Sequence, residues 1–518
     1  MTEKKDKFIQ TLKEGYTVKG ESIILGAPIF ENEVISDIHI QVPLKTLNRH
    51  GLIAGATGTG KTKTLQVIAE SLSEKGVPVM MMDIKGDLSG IAAKGEKKPF
   101  IIERHEKIGI PYTPREFPVE LLSISKEKGV RLRATVSEFG PVLFSKILNL
   151  NDTQSGIVSL IFKFCDDQRL PLLDLKDFKK LLQYISEEGK EKIEKEYGKI
   201  SGASTSTILR KVIELEQQGA DLFFGETSFD VQDLIRTNKN GDGYISIIKL
   251  TDIQDKPKLF STFMLSLLAE IYSTFPEEGD LEKPKLILFI DEAHLIFEEA
   301  SKTLIDQIET IVKLIRSKGV GIFFCTQNPS DIPPSVLGQL GLKIQHALRA
   351  FTANDRKMIK LTAANYPLTE FYNTEELLTS LGIGEAAVTV LSEKGTPTPL
   401  AATMLKAPAS RMNILTDDEI TEIVETSILA DKYNKVIDRE SAYEILSQKI
   451  NSQDNVEERH VEKKEAKKEK SGRKEKSTLE TVLESSITKQ VGRTIFRELT
   501  RGLLGVLGVS GTSRKRRR

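Results

Sequence analysis

Several short stretches of this chain are apolar without interruption, and each ends in small, charged or polar residues. Gly51-Leu52-Ile53-Ala54 runs into a glycine-rich segment, Val77 to Met82 into Asp83-Ile84-Lys85-Gly86-Asp87, Lys285 to Ile290 into Asp291-Glu292-Ala293-His294, and Gly319 to Cys325 into Thr326-Gln327-Asn328. Strands buried on both faces of a parallel sheet read in this way, because helices cover both sides of them. Between the first two runs, Leu65, Val67, Ile68, Ala69 and Leu72 recur at helical spacing. Strand-like Tyr244 to Leu250 is followed by a helix from about Lys258 to Ser273, and Lys343 to Leu348 and Glu385 to Leu391 supply later strands, with Ser392 to Thr396 as a hairpin turn. The pattern predicts an α/β fold with a mainly parallel central sheet.

The remaining regions differ in character. Residues 1–47 contain short alternating runs, Tyr16-Thr17-Val18 and Ile38 to Val42, and read as a short N-terminal β segment. The core is expected over 48–411. Within it, 115–240 shows helical spacing in Phe144, Ile147, Leu148 and Leu150 and again in Phe178, Leu181, Leu182 and Ile185, and reads as a mainly helical insertion. A C-terminal helical extension is expected over 412–450. Residues 451–478 are a polar linker rich in Lys and Glu, without aromatics. In 479–518, Ile487, Val491, Ile495, Leu499 and Leu503 form one helical stripe opposite Arg493, Arg497 and Arg501, which predicts a basic amphipathic tail.

Charge sharpens that division. The chain of 518 residues carries 74 Lys or Arg and 74 Asp or Glu, yet residues 459–518 hold 18 basic residues against 7 Glu. A basic tail therefore hangs on an acidic body. The tail helix is too interrupted by Arg to cross a bilayer but suits an anionic surface, whether nucleic acid or lipid headgroups; a solvated run that aids solubility is the alternative. Cys165 and Cys325 both lie in apolar runs, as reduced cysteines of a cytoplasmic protein do, and the six histidines show no metal-ligand spacing. The N-terminus opens no apolar stretch of a secretion signal.

The candidate chemistry sits at the ends of the apolar runs. Gly55-Ala56-Thr57-Gly58-Thr59-Gly60-Lys61-Thr62 is a complete phosphate-binding loop between a strand and a helix. Its glycines let backbone N–H groups turn onto the phosphates, Lys61 reaches the β and γ oxygens, and Thr62 ligates Mg²⁺. Asp291 ends a strand where it can hold the Mg²⁺ water shell, and Glu292, one residue on, is placed to polarise the attacking water; a first-turn acid favoured by the helix dipole is the alternative for Glu292. His294 reads as a packing or hydrogen-bonding residue. Ligands of open α/β sheets lie beyond the carboxyl ends of the strands, which places Gln327 at the mouth of the site as a γ-phosphate sensor or, failing that, a strand-end cap. Asp83 and Lys85 fall near the same edge, as a structural ion pair or as groups linked to the nucleotide.

In order, His50 to Thr62, Asp83 to Asp87, Asp291 to Leu295, Ile315-Arg316-Ser317-Lys318-Gly319, Thr326 to Pro333 and Leu381-Gly382-Ile383-Gly384-Glu385-Ala386 resemble the HerA-like ATPases of the FtsK/HerA branch of RecA-type P-loop NTPases. The resemblance covers roughly residues 20–445. It implies a RecA-like sheet, ATP and Mg²⁺, and a homo-hexameric ring in which a neighbour supplies an arginine finger. Arg349, Arg316 and Arg356 are candidates for that finger because each follows or flanks a late core element, with Arg349 slightly preferred. The resemblance also implies a motor that moves DNA. Two features depart from it: 47 residues are too few for the β-barrel that clamps a nuclease partner in HerA, so that partner does not carry over, and neither does a role for the insertion. A superfamily 2 helicase, suggested by Asp291 to His294, is disfavoured by the roughly 230 residues between the two motifs and the lack of a second arginine-rich lobe. An ATP-dependent switch or secretion-type ATPase that assembles on a membrane or protein partner through the tail is the remaining alternative.

Overall fold

The computed structural model describes residues 2–279, 281–297, 302–435, 437 and 439–450. They divide into two units, one of residues 2–133 with the described part of 227–435 and the other of 134–226 with 437 and 439–450. The expected linker and tail, 451–518, lie outside the described residues.

The first unit is built on one sheet. Its strands are β1 (Ser22–Phe30), β2 (Glu33–Val34), β3 (Ile40–Pro43), β4 (Gly51–Ala54), β5 (Val79–Asp83), β6 (Val119–Ser123), β7 (Val130–Arg131), β8 (Ile245–Lys249), β9 (Leu286–Ile290), β10 (Val320–Thr326), β11 (Leu342–Gln345), β12 (Glu385–Thr389) and β13 (Ala401–Leu405). They run in the order β2-β1-β13-β12-β11-β4-β10-β9-β5-β8-β6-β7, with β3 paired to β1. From β11 to β7 every pairing is parallel, and from β11 through β12 and β13 to β1 every pairing is antiparallel. The fold is thus α/β with a mixed, mostly parallel sheet. Every residue of β4, β5, β9 and β10 is buried, as their unbroken apolar composition requires.

Register places the chemistry. Thr326 pairs with Ala54, Phe324 with both Leu52 and Ile290, and Met82 with Ile290. The residues that follow β4, β5, β9 and β10 consequently emerge at one edge of the sheet.

Three expectations need correction. The N-terminal segment opens with a helix, Thr2–Tyr16, whose Phe8, Leu12 and Tyr16 lie one turn apart and are buried; the Tyr16 hydroxyl donates to the carbonyls of Val388 and Pro399 at 2.9 and 2.7 Å. Tyr16 therefore ends a helix rather than starting a strand. The insertion is narrower than 115–240, because β6 and β7 belong to the parallel sheet and only 134–226 falls in the second unit. The extension of 412–450 is divided: helices Asp417–Thr426 and Ile428–Tyr433 belong to the first unit, whereas a helix over 442–450 belongs to the second.

The second unit is helical, as its spacing predicts. Its helices Val136–Ile147, Asp152–Gln168 and Leu175–Ser186 each start with a capping box, at Thr135, Asn151 and Asp174. Phe144 packs edge-on against Phe178 at 4.8 Å in their core. Buried Asp177 accepts from the Tyr443 backbone at 2.8 Å, which ties the 442–450 helix into this bundle.

Candidate functional site

The phosphate loop is shaped by three glycines with left-handed φ, at Gly55, Gly58 and Gly60. Gly55 shows why the residue type is needed. A Cβ there would meet the Cβ of His346 at 2.5 Å, in a backbone conformation that other residues rarely adopt. The helix Lys61–Glu74 starts directly after Gly60 with no side-chain cap, so its N-terminal dipole faces the loop. Lys61 is buried and its Nζ donates to the carbonyls of Gly55 and Ala56 at 2.7 and 3.3 Å. Burial lowers its pKa, against the pull of Glu292 and Asp291. Thr59 is buried with its hydroxyl on the Ala56 carbonyl at 2.7 Å, Thr57 and Gly58 are exposed, and Ala56 and Thr62 are half-buried.

His346, which the sequence reading passed over, is the floor of this loop. It follows β11, its Nε2 lies 2.9 Å from the Thr64 hydroxyl, and the Ala56 N–H donates to the next residue's carbonyl, Ala347, at 2.9 Å. Burial drives its pKa down to about 4, with Lys61 adding to the effect, so the ring is neutral at pH 7. The strand-end rule applied to β11 would have found it. From the antiparallel side, the Gly384 N–H donates to the Thr59 carbonyl at 3.0 Å, and Arg104 holds that turn by donating to the carbonyls of Ile383 and Gly384 at 2.9 and 3.1 Å.

Asp291 and Glu292 follow β9 and are both buried. Asp291 Oδ2 has no hydrogen-bond partner among the described residues, and burial raises the carboxyl's pKa while Lys85 opposes the rise. A buried carboxylate oxygen left open near the phosphate loop fits a hydrated Mg²⁺, for which Thr62 would be the companion ligand. Glu292 has φ 45°, the left-handed region, so it does not continue the strand and does not start an ordinary helix. Its carboxylate pairs with Lys85 Nζ and lies 3.3 Å from His294 Nδ1. His294 thus lies beside Glu292 without a hydrogen bond to its carboxylate.

Asp83 and Lys85 are not paired with each other: Asp83 binds its own loop, and Lys85 pairs with Glu292. The Asp83 carboxylate is turned inward and accepts the N–H groups of Gly86, Asp87 and Leu88 at 2.7, 3.1 and 3.1 Å, closing its own loop. Burial pushes its pKa up to about 7 in spite of these bonds. Lys85 instead reaches the site. Burial alone would lower its ammonium, but pairing with Glu292, with Asp291 nearby, holds it above the usual lysine value.

Gln327 follows β10, the strand between β4 and β9, and is exposed at the same edge. The arginines part company. Arg349 is exposed shortly after β11 and His346, on the phosphate-loop edge. Arg316 is exposed in the turn that enters β10, at the opposite edge, where its charge contributes to the lowered pKa of buried His50. Arg356 is exposed on helix Ala353–Ala363.

Against known proteins, the family of helicase HerA-like C-terminal domains matches residues 31–515. The chain is 24% identical over 359 residues to the DNA double-strand break repair helicase HerA of Sulfolobus acidocaldarius, covering 68% of this chain and 64% of that relative. It is 25% identical over 385 residues to the protein of that name from Saccharolobus solfataricus, covering 73% and 68%. The chain thus spans less than two thirds of the length of the first of these. Among solved structures, the plasmid coupling protein TrwB in complex with the non-hydrolysable ATP analogue ADPNP superposes with a TM-score of 0.52 at 14% identity, over 78% of this chain and 94% of that one, a likeness of fold. The chain belongs to the HerA-like family.

Proposed function

We propose that this member of the HerA-like family is an ATP-hydrolysing motor that works as a homo-hexameric ring on DNA, in a cytoplasmic setting. The observation that carries the ATPase reading is the gathering of Lys61, Asp291, Glu292 and Gln327 at one sheet edge, where Asp291 Oδ2 is buried with no hydrogen-bond partner among the described residues. In this reading Lys61 and the N–H groups of the loop bind the β and γ phosphates, and Gln327 reports whether the γ-phosphate is present. Glu292 orients the water that attacks it, and burial of the carboxylates keeps competing water away. Mg²⁺, held through Thr62 and Asp291, would neutralise charge on the phosphate oxygens. An arginine from the neighbouring subunit completes the charge balance, as phosphoryl transfer requires positioning and electrostatics more than covalent chemistry.

Motion on DNA rests on the HerA relatives, whose names describe helicases. The acidic body favours a second reading, a switch or secretion-type ATPase recruited through the basic tail, because nonspecific DNA binding needs clustered Lys and Arg. Steady-state ATP hydrolysis measured alone, with duplex DNA, with single-stranded DNA and with anionic vesicles separates the two. Stimulation by either DNA supports the motor. Stimulation by vesicles alone supports the second reading.

A further inference from the structure

Lys85 occupies a position that the nucleotide-binding motifs leave unexplained. Register sets Met82 opposite Ile290, so Asp83 and Asp291 leave their strands side by side, and two residues further the lysine overhangs Glu292. Its backbone is fixed. Three N–H groups of the loop are bound by Asp83, and Gln254 donates to the Ile84 carbonyl at 2.7 Å. Its side chain has room to move, at 36% exposure against 7% for the Glu292 carboxylate that it grips.

The other cation of the site lacks that freedom. Lys61 is 5% exposed and bound to two loop carbonyls. The groups that act on it besides Lys85 are Cys325 and the carboxylates Glu292 and Asp291. A γ-phosphate entering beside two carboxylates brings more negative charge, and the movable ammonium at hand is Lys85. A phosphate with its multiple charged oxygens competes well with one carboxylate for an ammonium. Lys85 pairs with Glu292 Oε1, and an ammonium held against that oxygen weakens the carboxylate as an acceptor for water. Its left-handed backbone, at φ 45°, fixes where the carboxylate starts from, so release depends on the side chain's partner.

We propose that Lys85 reads the γ-phosphate: its ammonium exchanges the Glu292 carboxylate for the terminal phosphate of ATP, and this exchange frees Glu292 to orient water. ADP, lacking that phosphate, leaves the pair closed. Lys85 is in this sense a positioning residue for Glu292 and a discriminator between ATP and ADP. The inference rests on the ATPase reading above.

The test compares equilibrium binding of ADP and of a non-hydrolysable ATP analogue, both with Mg²⁺, to the full chain and to its Lys85→Met and Lys85→Arg variants, with turnover measured alongside. Lys85→Met should weaken the ATP analogue roughly tenfold or more, the loss of one charge-assisted contact, while ADP binding stays within about twofold. Turnover should fall with it, and Lys85→Arg should recover part of the preference for the ATP analogue. The proposal is overturned if Lys85→Met keeps the wild-type preference. It is equally overturned if both nucleotides weaken together, since Lys85 would then only hold the loop in shape. Failure of the unmodified chain to bind either nucleotide would instead remove the ATPase reading itself.

Discussion

The two halves of the site lie one strand apart and are built on opposite terms. In the phosphate half most polar groups satisfy one another: Lys61 is bound by the loop's own carbonyls, Thr59 by Ala56, and Thr64 by a neutral His346, whose Nδ1 alone of these groups is left without a partner among the described residues. In the carboxylate half they do not. Asp291 Oδ2 is buried with no hydrogen-bond partner among the described residues, Glu292 holds a backbone conformation costly for a residue with a Cβ, and two carboxylates sit together with Lys85 paired to one of them. The phosphate half is a local motif that folds for its own stability, whereas the carboxylate half is held in place by β9 and its neighbours at some cost to stability. Binding and chemistry should therefore respond differently to substitution.

The largest expected effect is on the phosphate side. Lys61→Ala removes the ammonium proposed to meet the β and γ oxygens and should abolish nucleotide binding or turnover, a loss of several kcal/mol of charge stabilisation. The fold should persist, because the strand and helix around the loop are packed by apolar residues. Near-wild-type hydrolysis would show that the loop is not the nucleotide site.

On the carboxylate side the loss should fall on chemistry alone. Glu292→Gln keeps the shape and should bind ATP with Mg²⁺ but turn it over at most about a hundredth as fast. Parallel losses of binding and turnover in a titration would erase the distinction between the halves.

How much of this contrast could be read from sequence follows from its physical origin. The phosphate loop was legible because all of its parts are contiguous, and Asp291 and Glu292 because an unbroken apolar run announces its own end. The Lys85 grip and the His346 floor were not, since each joins segments that only strand register brings together. The helix Thr2–Tyr16 was hidden because Phe8, Leu12 and Tyr16 are a thin stripe among charged neighbours. Strand β6 was absorbed into the insertion because Glu120 breaks its apolar run. That glutamate is buried all the same, paired with Arg236 at 2.9 Å and accepting from Ser427 at 2.5 Å, partners far away in sequence.

The arginines test whether a third party closes the gap between the halves. Arg349 shares the edge of its own phosphate loop, and Arg316 lies at the far edge. A group at the far edge can reach a nucleotide only in a neighbouring subunit, whereas Arg349 is open to either role. Mixing a Lys61→Ala chain with an Arg→Ala chain should restore part of the activity for whichever arginine acts across the interface. Rescue with Arg316→Ala but not with Arg349→Ala would assign the finger to the far edge and a same-subunit role to Arg349, against the slight preference drawn from sequence.

A smaller effect separates the halves by pH. His50 and His346 have pKa values lowered to about 4 by burial, so between about pH 6.5 and 4 the unfolded chain takes up protons that the fold refuses. Their share of stability is lost as pH falls through that window. Asp83 has the opposite sign: raised to about 7, its contribution is present at low pH and lost as pH rises toward 7. His346→Gln removes from the phosphate half one imidazole that burial keeps unprotonated. The drop in unfolding free energy between pH 7 and pH 5 should shrink by about 2 kcal/mol in denaturant titrations. An unchanged drop would mean that the ring takes a proton in the fold and is not the neutral floor described above.

The finest test uses stability alone, at the two residues whose backbones are left-handed for opposite reasons. Gly55→Ala places a methyl 2.5 Å from His346 Cβ at φ 151°, and should destabilise the fold by about 1–3 kcal/mol, since neither atom belongs to a flexible end. Glu292→Gly relieves a left-handed residue and takes one buried carboxylate away from another. Lys85, which loses its partner, keeps access to water through its partly exposed side chain. The fold should gain on the order of 1 kcal/mol while hydrolysis is lost, with the gain trimmed by the added freedom of a glycine in the unfolded chain. Thermal melts of the two variants should therefore move in opposite directions from the parent. If Glu292→Gly melts lower, the carboxylate half is supported by its ion pairs as fully as the phosphate half is by its backbone, and the contrast between them is one of chemistry alone.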